Sequence, residues 1–397
     1  MAVGVGITLG PNGDFLRRVA PIVEGLVDYV EITPETLWGR SDVGDFFADV
    51  QQRSGLPFVA HGVGLSLGSP GPDLAHLERI AQDHERFGFA WYSEHLGFWR
   101  AGDRAVALAL PLPHTQEAVD TVSTNLRAMA EVVPQVAFEN WAGFFAADPA
   151  ERDPGFFHAI CDQSGASMLL DLHNVQTHCH NTGADPDAYV DALDLSRVVE
   201  IHVAGGGWSE PGWVPSGRVF RLDGHDGPVT DWQWTTLARI LPRCSGLRGV
   251  TLERLPHTLE AHQVPAFIGE FERLRALVAD AAVERGPAGG QAPCVTDHGD
   301  LVDLERRVLV ALDALEPEVS DLDMDGLLLT GRIVQKLRFE RLCTDPELAG
   351  WFETNPQNFI QTFRAYHRAV PPRFVWAKDE VEAFRDQPWN HGPGTEP

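Results

Sequence analysis

Through its first 286 residues the chain repeats one pattern. Short apolar, β-branched runs alternate with longer runs whose apolar positions recur every three or four residues, and Gly, Pro, Asp or Asn stands between them. The short runs predict eight strands, at 3–10, 27–33, 57–64, 90–98, 135–141, 167–175, 198–206 and 249–255. The long runs predict helices over Asp73–Gly88, His114–Val133, Asp153–Gly165, Asp185–Leu193, Asp231–Leu241 and Leu259–Glu284. In the first of these, Leu74, Leu77, Ile80, Ala81 and Phe87 supply the apolar positions and Gly88 ends the helix. Eight strands alternating with helices imply a parallel sheet, and the count favours a closed TIM (β/α)8 barrel. An open doubly wound sheet is the rival. Its nucleotide-binding forms lose ground, because no GxGxxG follows the first strand and no GxxxxGKS/T occurs.

The pattern stops at the Gly- and Pro-rich stretch RGPAGGQAPC (285–294). Beyond it, residues 299–315 read as a helix with Leu301, Leu304, Val308 and Leu312 on one stripe. Two or three further helices follow, one near Pro356–Val370, with a short strand near Arg373–Trp376. The expected organisation is α/β: a TIM barrel over residues 1–286, a linker over 287–298, and a smaller, mostly helical domain over 299–397.

A parallel barrel strand is buried on both faces and should be almost continuously apolar. These strands break that rule at or near their carboxyl ends. His61 ends FVAH, Glu94 and His95 lie in WYSEHL, Glu139 in VAFEN, and Asp171, His173 and Asn174 in LLDLHN. Glu200 and His202 lie in VVEIHV, Glu253 in VTLER and Glu31 in VEIT. That end is where barrel active sites are built. Residues two apart share a strand face, so Asp171/His173 and Glu200/His202 are expected to point together. The loop RLDGHDGPV after the seventh strand adds Asp223, His225 and Asp226.

One strand-end His or Glu is ordinarily a buried hydrogen-bonder. Several carboxylates converging without cations would cost many kcal/mol or lose their charge. Arg254, the main basic residue nearby, lies on the parity opposite Glu253. Divalent metal is the simplest neutralising partner, and imidazole with carboxylate and no thiolate suits iron, manganese or zinc. The ligands exceed one ion's needs, so two or three ions sharing carboxylates are expected. Other groups carry less weight. THCHN (177–181) is read as lining a loop, His76 and His84 as surface residues of a helix, and His114 as the start of one. Trp208, Trp213, Trp232 and Trp234 are read as packing, although Trp208 and Trp213 could cover the site as a lid.

Composition narrows the partners. The 397 residues include 31 basic and 57 acidic side chains, a net charge of −26, which argues against nucleic acid and anionic membranes as main partners. The five cysteines show no CxxC spacing and read as isolated reduced thiols. The opening MAVGVGITLG lacks the pattern of a signal peptide, and no apolar run is long enough to span a bilayer; a cytoplasmic location is expected.

Taken in order, VAHGVGLSLGS (59–69), SEHLGF (93–98), FEN (138–140), LLDLHNV (169–175), EIHVAGG (200–206), DGHDGPV (223–229) and LER (252–254) resemble a known family. It is the multinuclear non-heme iron-dependent oxidative enzymes, of DUF692 type, which include the methanobactin biosynthesis oxidase. The resemblance spans about residues 3–280. It implies a metal-binding TIM barrel that modifies ribosomally made precursor peptides in natural-product biosynthesis, using iron and dioxygen. It further implies that His61, His95 and Glu139 form one iron site and that Asp171, His202 and Glu253 belong to a neighbouring one. Asn174, Asp223 and His225 would hold a third ion, with iron in mixed Fe(II)/Fe(III) states. Glu31, Glu94, His173, Glu200 and Asp226 would stand behind these ligands or face substrate. Many members have Asn in place of His173, which leaves it open as ligand, support or substrate contact. Members commonly act with a small peptide-capturing partner. WFETNPQNFIQTFRAYHRAV (351–370) is similar to such partners, so a fusion of oxidase and peptide-binding domain is expected, against a helical domain that only stabilises the barrel or a dimer.

Two rival functions stand beside this one. The first is a divalent-metal barrel hydrolase or isomerase, endonuclease-IV-like or xylose-isomerase-like. The negative charge speaks against the nuclease. A sugar isomerase usually presents a catalytic lysine, and the only lysines, Lys336 and Lys378, lie in the helical region. The second rival is a non-catalytic metal-storage or peptide-binding scaffold.

Overall fold

A computed structural model describes residues 3–281, 290–296, 300–312, 322–373 and 376–387. Among these, ten strands form: β1 (Gly4–Leu9), β2 (Tyr29–Ile32), β3 (Phe58–Gly62), β4 (Tyr92–His95), β5 (Phe98–Ala101), β6 (Arg104–Leu110), β7 (Val136–Glu139), β8 (Ser167–Asp171), β9 (Val198–Val203) and β10 (Gly249–Leu252). Eight of them, all but β5 and β6, close into a parallel barrel in chain order, with β10 pairing back onto β1. All eight predicted strands are barrel staves. The helices between them pack outside, as in Leu74–Phe87, capped by Asp73 at its start and by left-handed Gly88 at its end.

Several expectations need correction. The run 167–175 does not remain a strand. β8 stops at Asp171, whose side chain accepts from the Asn174 amide and caps the helix Leu172–Thr182. His173 therefore sits on a helix, and strand parity does not pair it with Asp171. The segment 177–181 belongs to the same helix and is not a loop. His76 is buried, not on the surface. β5 and β6 form an antiparallel hairpin that sequence reading missed, joined by a Gly102–Asp103 turn with Gly102 at φ +61°. Gly-Asp between two apolar runs is itself a hairpin signal. The predicted strand near 373–376 falls partly outside the described residues, as does much of the Gly/Pro-rich stretch.

Alternation along each stave sorts its side chains. The deepest inward layer includes Tyr29, Val59, Trp91 and Glu200. Tyr29 Oη donates to Glu200 Oε1 at 3.0 Å and lies 2.6 Å from Thr251 Oγ1, and Trp91 Nε1 donates to Glu200 Oε2 at 2.6 Å. Tyr29 fits only because the neighbouring staves carry glycine there. A Cβ on Gly6 or on Gly249 would lie 2.3 Å from Tyr29 atoms. This plug closes the barrel floor, and everything above it faces the carboxyl end.

The helical region is not detached from the barrel. Helix Leu301–Ala311 joins the barrel's apolar core through Leu301, Val308 and Leu309. Helix Met324–Leu342 adds Leu327 and Val334 to that core, and its Leu329 packs with Phe144, Val214 and Phe220 at the barrel mouth. Arg218 pairs with Asp323 at 2.5 Å and Ser216 Oγ donates to Asp325 at 2.7 Å, tying the loop after β9 to this helix. A second apolar cluster, with Leu342, Leu348, Phe359, Phe363, Tyr366 and Phe384, holds the last helices together. Within it Arg338 is buried against Glu380 at 2.9 Å, and Tyr366 Oη donates to the same carboxylate at 2.6 Å. Breaking such a buried pair typically costs about 3–5 kcal/mol. No helix among the described residues is long and apolar enough to cross a membrane.

The floor supplies a test of the fold. Gly249→Val should drive a branched side chain into the Tyr29 ring and destabilise the barrel by about 1–3 kcal/mol or more, the usual overpacking cost. Urea unfolding would measure it; an unchanged midpoint would show that Tyr29 does not plug the floor.

Candidate metal centre

Above the floor the inward positions turn polar on six staves at once. Glu31, His61, His95, Glu139, Asp171 and His202 converge there, joined by Glu253 just past β10 and by Asp223 and His225 from the loop after β9. Glu139 is the hub. Its Oε2 lies 3.5 Å from His61 Nε2 and 3.3 Å from His95 Nε2, and its Oε1 lies 3.8 Å from His202 Nδ1. His202 Nδ1 is also 3.2 Å from Glu253 and 4.0 Å from Asp171. His225 Nε2 faces Asp171 at 3.4 Å and Glu253 at 3.6 Å, while its Nδ1 lies 3.4 Å from Asp223. His61/His95/Glu139, Glu139/Asp171/His202 and His173/Asp223/His225 each bring their ligating atoms within 4.8 Å of one another. The first two sets share Glu139, so one carboxylate can serve two ions.

The imidazoles at the hub are held from behind. His61 Nδ1 lies 2.8 Å from Ser93 Oγ, His95 Nδ1 2.9 Å from the Gly62 carbonyl, and His202 Nε2 3.1 Å from Glu31 Oε2. Thr8 Oγ1 donates to Glu31 at 2.6 Å in turn. With one nitrogen anchored, the other presents toward the carboxylates, the arrangement that orients metal-binding histidines. His225 sits at φ +41°, unusual for a residue with a side chain. Hydrogen bonds from Leu255 and Thr258 to its carbonyl help keep it there.

Two donor atoms are left over. Asn174 Nδ2 donates to the Asn140 carbonyl at 3.0 Å, which turns Oδ1 away; that oxygen is buried and makes no hydrogen bond. Asp223 Oδ1 is likewise buried without a hydrogen bond, its nearest partner being the His225 ring nitrogen at 3.4 Å. Buried oxygens left in this way cost free energy unless something positive meets them. Asn174, Asp223, His95 and Glu139 all line one cavity of roughly 150 Å³.

The electrostatics carry the same mark. Burial disfavours a charged His61, yet Glu139 beside it lifts the imidazole to about 9. Burial, with Asp171, Glu139 and Glu253 nearby, pushes Asp223 up to about 7 despite His225. Burial would raise Glu253, but His225 and His202 hold it well below the ordinary carboxylate range.

Other predicted residues lie elsewhere. Glu200 faces the floor, with its Oε1 3.7 Å from His202. Asp226 is exposed and outside the cluster. Glu94 points out of the barrel, toward Glu35 and His76. Glu94 accepts from the amides of Leu65 and His95, and Glu35 from that of Val63, so this outer group clamps the loop after His61. His178 binds Asp153 at 3.0 Å, which also takes His114, Tyr189 and the Trp141 indole. Burial would raise Asp153, but His178 and His114 hold it below the ordinary range. Trp141, so anchored, lines the cavity with Trp99 and Ala107–Ala109 of the missed hairpin. Ser93, Asn140 and Trp99 were not singled out from sequence. Ser93 and Asn140 stand in the SEH and FEN motifs and share their signal; Trp99 has none without the hairpin.

The sequence model for the RiPP precursor modification enzymes MbnB/TglH/ChrH matches residues 2–278. A UPF0276 protein of Pseudomonas aeruginosa strain UCBPP-PA14 is 31% identical over 274 residues, 68% of this chain and 93% of that one. A UPF0276 protein of Caulobacter vibrioides strain NA1000 / CB15N is 30% identical over 291 residues, covering 72% and 98%. Among solved structures, the D-psicose 3-epimerase of Clostridium cellulolyticum H10 aligns with 70% of this chain and 97% of its own at TM-score 0.44 and 13% identity, too remote to bear on chemistry. The matched region contains the whole barrel and every residue of the centre, and on that match the chain belongs to the MbnB/TglH/ChrH family of RiPP precursor modification enzymes.

Proposed function

We propose that this protein oxidatively modifies a ribosomally synthesised precursor peptide, using two or three iron ions and dioxygen. The observation that carries the reading is the Glu139 hub, with four imidazoles and four more carboxylates within one buried centre, and a buried oxygen without a hydrogen bond on each of Asn174 and Asp223. His61, His95 and Glu139 would hold one ion, and Asp171, His202 and Glu253, with Glu139 shared, a second. Asn174, Asp223 and His225 would hold a third. The donor set fits: oxygen and imidazole without thiolate suits iron, and the orphaned oxygens are donors that want a cation. Bound iron would supply the one-electron chemistry with dioxygen that no side chain here supplies.

The chain's own residues would do the rest. Trp99, Trp141 and the β6 segment wall the cavity against water. Its volume, roughly 150 Å³, is about that of a cavity that accepts benzene, enough for one peptide side chain. Ser93, the Gly62 carbonyl and Glu31 orient the imidazoles, the kind of support that strengthens metal binding. The helical region from residue 299 onward would grip the precursor, with 1–286 as the catalytic domain and 287–298 as linker. Its contacts with the loop after β9 support that role, since they lie at the barrel mouth. We place the reaction in the cytoplasm.

Metal analysis after anaerobic purification should find more than one iron per chain, and His95→Ala should lower that number with the barrel still folded. Zinc alone at one per chain would defeat the reading. Binding should also depend on pH in a defined direction. His61 holds its proton up to about 9 and Asp223 up to about 7, and both must release it to bind metal. Affinity of the metal-free protein for Fe(II) should therefore rise from pH 6 to pH 8, with proton release in calorimetry; a flat profile would mean these groups are not ligands.

A further inference from the structure

His173 lies on the first turn of the helix Leu172–Thr182 and is fully buried. Both of its ring nitrogens are engaged. Nδ1 lies 3.1 Å from a terminal nitrogen of Arg221. A guanidinium has only donors and keeps its proton in a protein, so Nδ1 must accept. A neutral imidazole carries one N–H and one lone pair, which places the N–H on Nε2. A second ring proton would set two cations side by side at that distance.

Nε2 faces oxygens that can accept its hydrogen bond, the Thr177 hydroxyl and the Asp223 carboxylate. Thr177 Oγ1 is 3.5 Å away and Asp223 Oδ1 3.6 Å. The ring also hydrogen-bonds the Leu222 backbone. A Cβ added at Gly206 would lie 2.8 Å both from Nε2 and from the Leu222 carbonyl oxygen, so these two atoms flank one spot and glycine is needed beside them. Arg221 is itself fixed. Its amide donates to Asn181 Oδ1 at 2.9 Å, its carbonyl accepts from Asn181 Nδ2 at 3.0 Å, and its guanidinium packs on Trp208.

We propose that His173 is not a metal ligand but a positioning residue, held by Arg221 with its proton on Nε2, that pins the Leu222–Asp223 turn so that Asp223 and His225 face the ion. Proximity alone groups His173 with Asp223 and His225 as a ligand set. Chemistry removes it, because a ligating nitrogen needs a lone pair and the only one is spent on Arg221. The inference deepens the proposed function and rests on it only for the ion at Asp223.

Two measurements test it separately. Histidine-selective 15N NMR of the metal-free protein should show one ring with bare Nδ1 and protonated Nε2, lost in His173→Asn and kept in Arg221→Lys. In iron-loaded protein, pulsed EPR should count the same number of iron-bound imidazoles in His173→Asn as in the parent, whereas His225→Asn loses one. Iron affinity should fall about 10- to 100-fold in His173→Asn, as for other groups that orient a ligand, and recover in His173→Gln, whose amide can donate from the Nε2 position. A proton on Nδ1 of His173, or one imidazole fewer on iron in His173→Asn, would overturn the proposal. The NMR result needs neither iron nor peptide, so failure of the proposed reaction would not be mistaken for failure of this assignment.

Discussion

Glu139 stands within 3.5 Å of His61 and His95 through one oxygen and reaches toward His202 through the other. That shared carboxylate is the constraint the rest of the centre obeys. One carboxylate cannot hold three imidazoles at such distances by hydrogen bonds of good length; it can do so by sharing cations with them. The neighbouring carboxylates of Asp171, Glu253 and Asp223 would repel one another in the same small volume, and two histidines between them cannot offset that charge fully.

The barrel makes this crowding tolerable by dividing labour between levels. Tyr29, Trp91, Thr251 and Glu200 form a satisfied polar plug at the floor, possible because Gly6 and Gly249 leave room. Glu31, Ser93 and the Gly62 carbonyl take one nitrogen of each central histidine. The outer group of Glu35, His76 and Glu94 fixes the loop that follows Gly62, so the anchor of His95 is itself held in place. At the mouth, Asp153 gathers two histidines, a tyrosine and the Trp141 indole, and thereby sets a wall of the cavity.

The helical region meets this assembly at the loop between β9 and the helix Asp231–Ile240. That loop carries Asp223 and His225 and is tied to Asp323 and Asp325 through Arg218 and Ser216. Arg218 also donates to the Asn181 carbonyl, and Asn181 brackets the backbone of Arg221. The region that lies beyond the family match therefore touches the part of the centre whose donors come from a loop and not from a strand.

The eight staves and their order were legible in the chain, because period-two apolar runs and helix-period runs are local properties that survive without tertiary context. So were the ligand candidates, because a His or Glu ending a buried parallel strand violates an expectation strong enough to notice. Local pattern could not show where β8 ends. Asp171 satisfies a helix amide and the centre with its two oxygens, and only the folded geometry reveals that His173 then turns onto a helix. Nor could it separate Glu94 from His95, adjacent residues that strand alternation sends to opposite sides of the wall. It missed the hairpin that brings Trp99 to the cavity, and it took His76 for a surface residue although that face of its helix covers Glu35 and Glu94. These were decided by tertiary structure for one reason. A side chain's type is written in the sequence, but its partner on another element, hundreds of residues away in some cases, determines whether it binds, supports or encloses.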